Sequence, residues 1–358
     1  MSRFVIVLLT LGPLVLSGQA DTSASRLLFS AYAEVYYAFD FTQPEDHNRP
    51  SFLYSHNRHN ELNLNLGFVK ASYNTEMVRA NLALAAGTYM NANYAAESGV
   101  LQNLYEANAG IKLSKRRHLW IDAGIFASHI GFESAVSKDC YSLTRSMLAE
   151  NSPYYESGVK VTYVTNDTKW LFSGLLLNGW QRITRPDGNN SPAYGTQVTF
   201  TPNDNVTFNY STFIGNDKPD DQRQMRYFHN FYGMFHITET FHITAGFDYG
   251  MEQKSEGSND YYNWYSPVLI VEVNLNDKWS VTGRGEYYTD KNGVIIPTGT
   301  ANGFQTVGYS LNLDYSIREN VVCRIEGRSF SSKDEIFVKG NTLENTNTFV
   351  TTSLAISF

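Results

Sequence analysis

The longest polar segment between runs of alternating residues is GFESAVSKDCYSLTRSMLAENS, residues 131–152, which sets Lys138 and Arg145 against Glu133, Asp139 and Glu150. Carboxylates opposed to a guanidinium across a narrow aqueous space can act as an ion filter, because a loop carrying both signs sets the local field and the width of the opening. The same charges on a loop that faces bulk water would filter nothing, and the residues alone leave both arrangements open. Within the segment, Tyr141 to Glu150 can form a short helix. Catalysis finds less support. Covalent chemistry needs a nucleophile within reach of an oriented base, yet the eight histidines are scattered and no Gly-x-Ser-x-Gly occurs. The expectation is therefore no enzyme, no cofactor and no metal. The cluster HNRH at 56–59, with His47 nearby, is expected to be solvated loop. Cys140 and Cys323 form an even pair that could cross-link in an oxidising compartment. The strand pattern puts them at opposite ends of the fold, which disfavours a bridge.

The elements that must carry these residues follow from composition and period. In 358 residues, 42% are hydrophobic and 14% aromatic, with 26 Gly and only 2 Cys. The mean hydropathy of −0.33 is too polar for a bundle of membrane helices. Beyond residue 20 no apolar run approaches the ~18 residues a spanning helix needs. Residues 1–20, MSRFVIVLLTLGPLVLSGQA, have the charged, apolar and small-residue regions of a secretory signal peptide. Without Arg3 the formal charge goes from 28 − 35 = −7 to 27 − 35 = −8, which argues against a nucleic-acid partner.

From residue 29 onward one grammar repeats: ten to fourteen alternating residues, then a very short turn or a long polar loop, in strict succession. Short turns fall at 73–76, 114–118, 165–168, 202–205, 238–239, 275–277 and 318–320. Long loops fall at 42–61, 91–103, 131–152, 181–193, 216–224, 253–261, 290–302 and 331–346. Seven turns plus eight loops make fifteen connections, hence about sixteen strands in an up-and-down meander. The reading is all-β: residues 21–358 form a transmembrane antiparallel β-barrel with short periplasmic turns and long extracellular loops. Closure satisfies every backbone group in hydrocarbon. The last strand, ending TTSLAISF, then pairs with the first, FSAYAEVYYAFDF at 29–41.

By parity, Ala31, Ala33, Val35, Tyr37, Phe39 and Phe41 face lipid while Tyr32, Glu34, Tyr36 and Asp40 face inward. In the second strand the same rule sends Leu62, Leu64, Leu66 and Phe68 outward. Aromatics at strand ends, including Tyr36, Trp264 and Tyr288, read as interfacial girdles. Parity also places twelve acidic and seven basic side chains on the inner wall, a difference of 7 − 12 = −5 that predicts a weak preference for cations. The expected pore-lining set comprises Asp122, Glu156, Lys160, Arg284, Glu286, Arg324, Glu326 and Arg328 from strands, with Glu133, Lys138 and Arg145 from the loop at 131–152, which is predicted to constrict the lumen.

The segments DAGIFASHIGFES (122–134), LTRS (143–146), SPYYESGVK (152–160) and LLLNGWQ (175–181) resemble the OmpL-like β-barrel porins of bacterial outer membranes. Positions matching that pattern are Asp122, Gly124, Gly131, Glu133, Arg145, Pro153, Gly158 and Asn178-Gly179-Trp180, and the resemblance adds Asn178 to the pore-lining set. Where the family reads Ser-Arg-Ser, this chain has Thr144-Arg145-Ser146. The terminal SLAISF is similar to the signal, ending here at Phe358, through which outer-membrane assembly machinery recognises its clients. The resemblance implies passive diffusion of small hydrophilic solutes and ions, a barrel embedded in outer-membrane lipid, and homo-oligomers as one option. The alternative is a plugged structural or adaptor barrel whose extracellular loops bind a partner.

Overall fold

The computed structural model describes residues 26–358; the expected signal peptide lies outside the described residues. Runs of alternating β-branched, aromatic and polar residues become strands because the pleat sends successive side chains to opposite faces. The strands are β1 (Leu27–Asp40), β2 (Leu62–Asn74), β3 (Val78–Ala86), β4 (Leu104–Lys112), β5 (His118–Ala127), β6 (Tyr155–Val164), β7 (Trp170–Leu177), β8 (Ala193–Asn203), β9 (Val206–Gly215), β10 (Arg226–His236), β11 (Phe241–Gln253), β12 (Tyr261–Asn274), β13 (Trp279–Asp290), β14 (Phe304–Arg318), β15 (Val321–Ser332), β16 (Phe337–Lys339), β17 (Thr342–Glu344) and β18 (Thr346–Ser357). Two short helices, α1 (Thr88–Asn93) and α2 (Met147–Glu150), lie in loops. Apart from the β16–β17 hairpin in the last loop, the strands close into one antiparallel barrel in sequence order, β18 joining β15 to β1. The closed sheet thus has sixteen strands, as the alternation of turns and loops required. Its closing seam runs from Tyr32 opposite Ser357 to Asp40 opposite Phe349, and the Phe358 N–H donates to the Ala31 carbonyl at 2.9 Å. Among the described residues no helix is long and apolar enough to cross a membrane; the crossing is made by strands.

The outer face follows parity closely. Val307, Tyr309, Leu311 and Leu313 on β14 are exposed while Thr306, Ser310, Asn312 and Asp314 are buried inside. The second strand breaks the rule. Glu34 pairs with Leu66 but Val35 pairs with Leu64, so Asn65 is an extra residue in a β-bulge, and the bulge exchanges the two faces beyond it. Leu66 is therefore fully buried and Phe68 stacks on Tyr32 at 5.7 Å, both inside rather than against lipid. Tyr36, Trp264 and Tyr288 are likewise inside: the last two join Phe52, Phe228, Phe304, Phe330 and Phe349 in an aromatic core near the loop end. The girdle reading fails for these three because strand-end position does not reveal which face a ring occupies.

Gly124 and Gly158 lie opposite each other on β5 and β6, and each has the backbone of its other neighbour, β4 or β7, too close for a side chain. A Cβ at Gly124, whose φ is +124°, would sit 2.1 Å from the Ala107 carbonyl oxygen, and one at Gly158 would sit 2.0 Å from that of Leu176. Both cysteines are free. The reason differs from the sequence expectation: the loop carries Cys140 down to the level of Cys323, where the Cys140 carbonyl accepts a 3.0 Å hydrogen bond from Arg324. Cys323 alternates with the inward Arg324 and so faces outward, leaving the barrel wall between the two thiols. The protein should migrate identically with and without reductant; a reductant-dependent shift of the monomer band would contradict this placement.

Candidate functional site

Alternation places Arg284 and Glu286 on the inner face of β13, Asn312 and Asp314 on β14, and Arg324, Glu326 and Arg328 on β15. The register sets Asn312 beside Glu326 and Asp314 beside Arg324, with Ser310 linking Arg284 to Arg328. Opposite charges thus neighbour one another in a ladder down the wall. Arg324 grips Asp314 at 2.8 and 2.7 Å, Arg284 meets Glu326 at 2.7 Å, and Arg328 meets Glu286 at 2.5 Å.

Loop 131–152 runs down this ladder and is held by its main chain. At the deep end Arg324 donates to the carbonyls of Ser137, Cys140 and Tyr141 at 2.5, 3.0 and 3.0 Å. Thr282 donates to the Tyr141 carbonyl at 2.9 Å, and Asn312 accepts from the Leu143 N–H at 3.2 Å. Higher up, Glu326 accepts from the Thr144 N–H and Arg284 donates to the Thr144 carbonyl, both at 2.6 Å. At the top Arg328 donates to the Arg145 carbonyl at 2.8 Å and Glu286 accepts from the Met147 N–H at 2.6 Å. A buried loop needs partners for its backbone, and here charged wall residues supply them.

The loop also fastens itself. The fully buried Arg145 donates from Nε to the Ser134 carbonyl and from Nη1 to that of Leu143, each at 2.5 Å, and from Nη2 to that of Ala135 at 3.0 Å. The expectation that Arg145 faces the opening gives way, because all of its donor groups are occupied within the loop. Ser146 caps α2 by accepting from the Ala149 N–H at 3.2 Å and donates its hydroxyl to Glu133. Burial pushes the Glu133 carboxyl above the usual range against the opposing pull of Arg284 and Ser146, and pushes the Cys140 thiol up to about 11.

Two strands beyond β15 in the closed sheet, Ser137 donates to Glu34 of β1 at 2.5 Å, and Glu34 also accepts at 2.9 Å from the buried Asn65, the extra residue of the bulge. The first long loop packs inside as well. Glu150 accepts from the Tyr54 N–H at 2.9 Å and the Ser55 N–H at 3.2 Å, tying the two loops together. His56 and His59, expected in solvent, are buried. His56 lies 3.2 Å from Glu34, His59 accepts from the Asp40 N–H at 2.9 Å, and burial holds the His56 imidazole below its ordinary value. Phe52, Leu53 and Arg49 also enter the barrel, with the Arg49 guanidinium 3.7 Å above the Phe349 ring. No residue pattern in HNRH or its flanks announces this packing; only Glu34, inward by parity, hinted at an interior partner.

The remaining expected residues lie elsewhere. Asp122 pairs with Arg79, and Lys160 sits 4.5 Å above the Phe126 ring. Glu156 contacts His129 at 2.8 Å, whose other ring nitrogen lies 2.9 Å from the Thr212 carbonyl. Asn178 donates to the Ile183 carbonyl at 2.7 Å and shapes its own loop. Lys138 is half-exposed and Asp139 exposed at the tip of the docked loop. On the inner wall of β2 to β6, Lys70, Ser72, Arg79, Asn81, Asn108 and Lys160 keep partial exposure toward the turn end. The loop end is filled by the aromatic core and by a second cluster of Tyr32, Leu66, Tyr89, Tyr94 and Tyr155.

A closed sixteen-stranded meander with a polar inner wall and a third long loop folded against it defines the porin class of outer-membrane β-barrels. Over residues 26–358 the sequence matches the family model described as "Putative beta-barrel porin-2, OmpL-like", and the chain belongs to that family. It is a protein of the bacterial outer membrane. Solved structures share the fold at low identity. OmpT of Vibrio cholerae is similar at 11% identity and a TM-score of 0.60, over 94% of this chain and 99% of that one. The anion-selective porin from Comamonas acidovorans is similar at 7% and 0.60, over 93% and 99%. The outer membrane channel DcaP of Acinetobacter baumannii is similar at 8% and 0.59, over 96% and 100%. No curated protein sequence matches the chain significantly.

Proposed function

We propose that the chain forms a channel for passive diffusion of small hydrophilic solutes and ions, with loop 131–152 setting its bore and without catalysis. The observation that carries this reading is the loop itself, docked by its backbone on β13 to β15 while the wall of β2 to β6 stays polar and partly exposed toward the turns. The wall retains its acidic excess: Arg79, Arg226, Arg284, Arg324 and Arg328 each lie against a carboxylate. A weak cation preference follows. The Comamonas porin is anion-selective, and at 7% identity its selectivity does not transfer. Self-association belongs to the same reading, since OmpT of Vibrio cholerae has been solved in a trimer form. Outer-membrane lipid, and assembly machinery reading the strand that ends at Phe358, are its other partners.

One observation favours the second reading, a plugged adaptor barrel: two clusters of buried apolar and aromatic side chains pack inside the barrel. Single-channel recording of the refolded chain in a planar bilayer separates the two. The channel reading expects stable steps that grow with salt and a reversal potential of cationic sign. A folded barrel that stays silent would favour the plug, and an anionic sign would remove the selectivity claim.

A further inference from the structure

We propose that His236 and His242 form a binding site for one divalent transition-metal ion at the turn-side mouth of the barrel, whether or not the barrel conducts. The two residues end β10 and begin β11, directly opposite each other across the turn at 237–240. Both follow the inward parity of their strands, set by Asn230, Tyr232 and Met234 on one and Thr244, Gly246 and Asp248 on the other. Both rings are half-buried, beside the exposed turn residues Thr238, Glu239 and Thr240, so the site opens to solvent on the turn side.

The geometry is that of two ligands converging on one point. His236 Nδ1 lies 2.8 Å from His242 Nδ1, with the ring planes at 74°. Two ring nitrogens this close tolerate a single proton between them. Asn274 contacts His242 Nε2 at 3.1 Å; with the amide donating, a neutral His242 carries its proton on Nδ1 and gives it to His236. A metal ion takes the place of that shared proton. For Zn–N bonds of ~2.0–2.1 Å in a tetrahedral arrangement, the nitrogens need only separate to roughly 3.3 Å. The His242 proton moves to Nε2, where the Asn274 amide, flipped, offers its oxygen, the outer partner that histidine ligands usually have. Tyr141, from the tip of the docked loop, stacks parallel to the His242 ring at 6.0 Å and limits its rotation.

Other histidines are differently engaged. His56 turns to Glu34, His129 bridges Glu156 and Thr212, and His229 meets the Tyr210 hydroxyl. Among the described residues no group of three or more His, Cys, Asp or Glu side chains could hold a metal. The protein therefore supplies two imidazoles, and the ion keeps open positions for water or an anionic solute. Imidazole ligation selects Cu2+, Ni2+ or Zn2+ over Mg2+ and Ca2+.

The test is calorimetric titration of the refolded, detergent-solubilised chain with Cu2+ and with Zn2+ at pH 7.5, alongside His236→Gln, His242→Gln and, as a control, His118→Gln. One ion per chain is expected, with affinity falling at least tenfold in either of the first two variants and unchanged in the third. Binding should weaken as the pH is lowered, because the ligands must be neutral. Electron paramagnetic resonance of the Cu2+-loaded wild type should show coupling to two imidazole nitrogens, a readout independent of how the variants fold. No saturable binding, a single-nitrogen spectrum, or equal affinity in His236→Gln would overturn the site and leave the pair as an ordinary cross-strand hydrogen bond.

Discussion

Replacing Arg145 with alanine is expected to free loop 131–152 from the lumen while leaving the barrel folded. The guanidinium is fully buried and organises three carbonyls from two arms of the same loop, at Ser134, Ala135 and Leu143. Alanine leaves those buried oxygens without their donor, and a buried acceptor left unsatisfied costs ~1–3 kcal/mol. That loss falls on a local unit. The sheet is closed by its own ladder, so opening of the loop does not require opening of the barrel. Trypsin or chymotrypsin should cut the variant within 131–152 under conditions that spare the wild type, with the folded band retained in unboiled samples. If the barrel conducts, its unit conductance should rise as the loop leaves the bore. Unchanged protease resistance would show that the wall alone holds the loop.

The second large effect belongs to the wall. Arg284 sits between Glu326 at 2.7 Å and Glu286 at 3.4 Å and donates to the Thr144 carbonyl, all without solvent access. Arg284→Ala leaves the buried Glu326 carboxylate without its guanidinium, while Glu286 keeps Arg328, at a cost of ~3–5 kcal/mol. Read by hydrogen–deuterium exchange over residues 140–150, protection should fall by roughly two to three orders of magnitude, at one factor of ten per ~1.4 kcal/mol. Adding Glu326→Ala removes the stranded charge, so the double variant should lose less than the sum of the singles. A coupling of ~0.5–3 kcal/mol is expected for groups in one network. Strict additivity would mean that the ladder does not act as a unit. Arg284→Lys keeps the charge but loses the planar fork that reaches Glu326 and Thr144 together, and should fall between.

Much of this was legible in the residues. Period two, interrupted alternately by tight turns and long loops, implied a closed sixteen-stranded meander, because the pleat dictates which face each side chain takes and hydrocarbon forbids an open edge. The same parity placed Arg284, Glu286, Arg324, Glu326 and Arg328 on the inner wall, and the length and charge of 131–152 marked the loop that enters it. Parity is a local rule, however, and it failed where local geometry changed: one extra residue at Asn65 turned Leu66 and Phe68 inward. Strand-end position is silent on which side of the wall an aromatic lies, and the girdle reading drawn from it misplaced Trp264 and Tyr288, whose parity is that of the inward Glu272 and Glu286.

What only the tertiary structure decided is which groups the wall charges hold. The partners of Arg324, Glu326, Arg284 and Glu286 are backbone atoms of residues 137–147, far away in sequence. A carbonyl or N–H carries no residue identity for a pattern to display. The same holds for Arg145, whose charge marked it for the opening although its donors close on its own loop, and for the first long loop, whose Phe52, Arg49 and His56 pack inside. Alternation along the chain determined the barrel and its two faces. The contents of the lumen depended on long-range pairing between charged side chains and main chain, which spacing along a sequence does not encode.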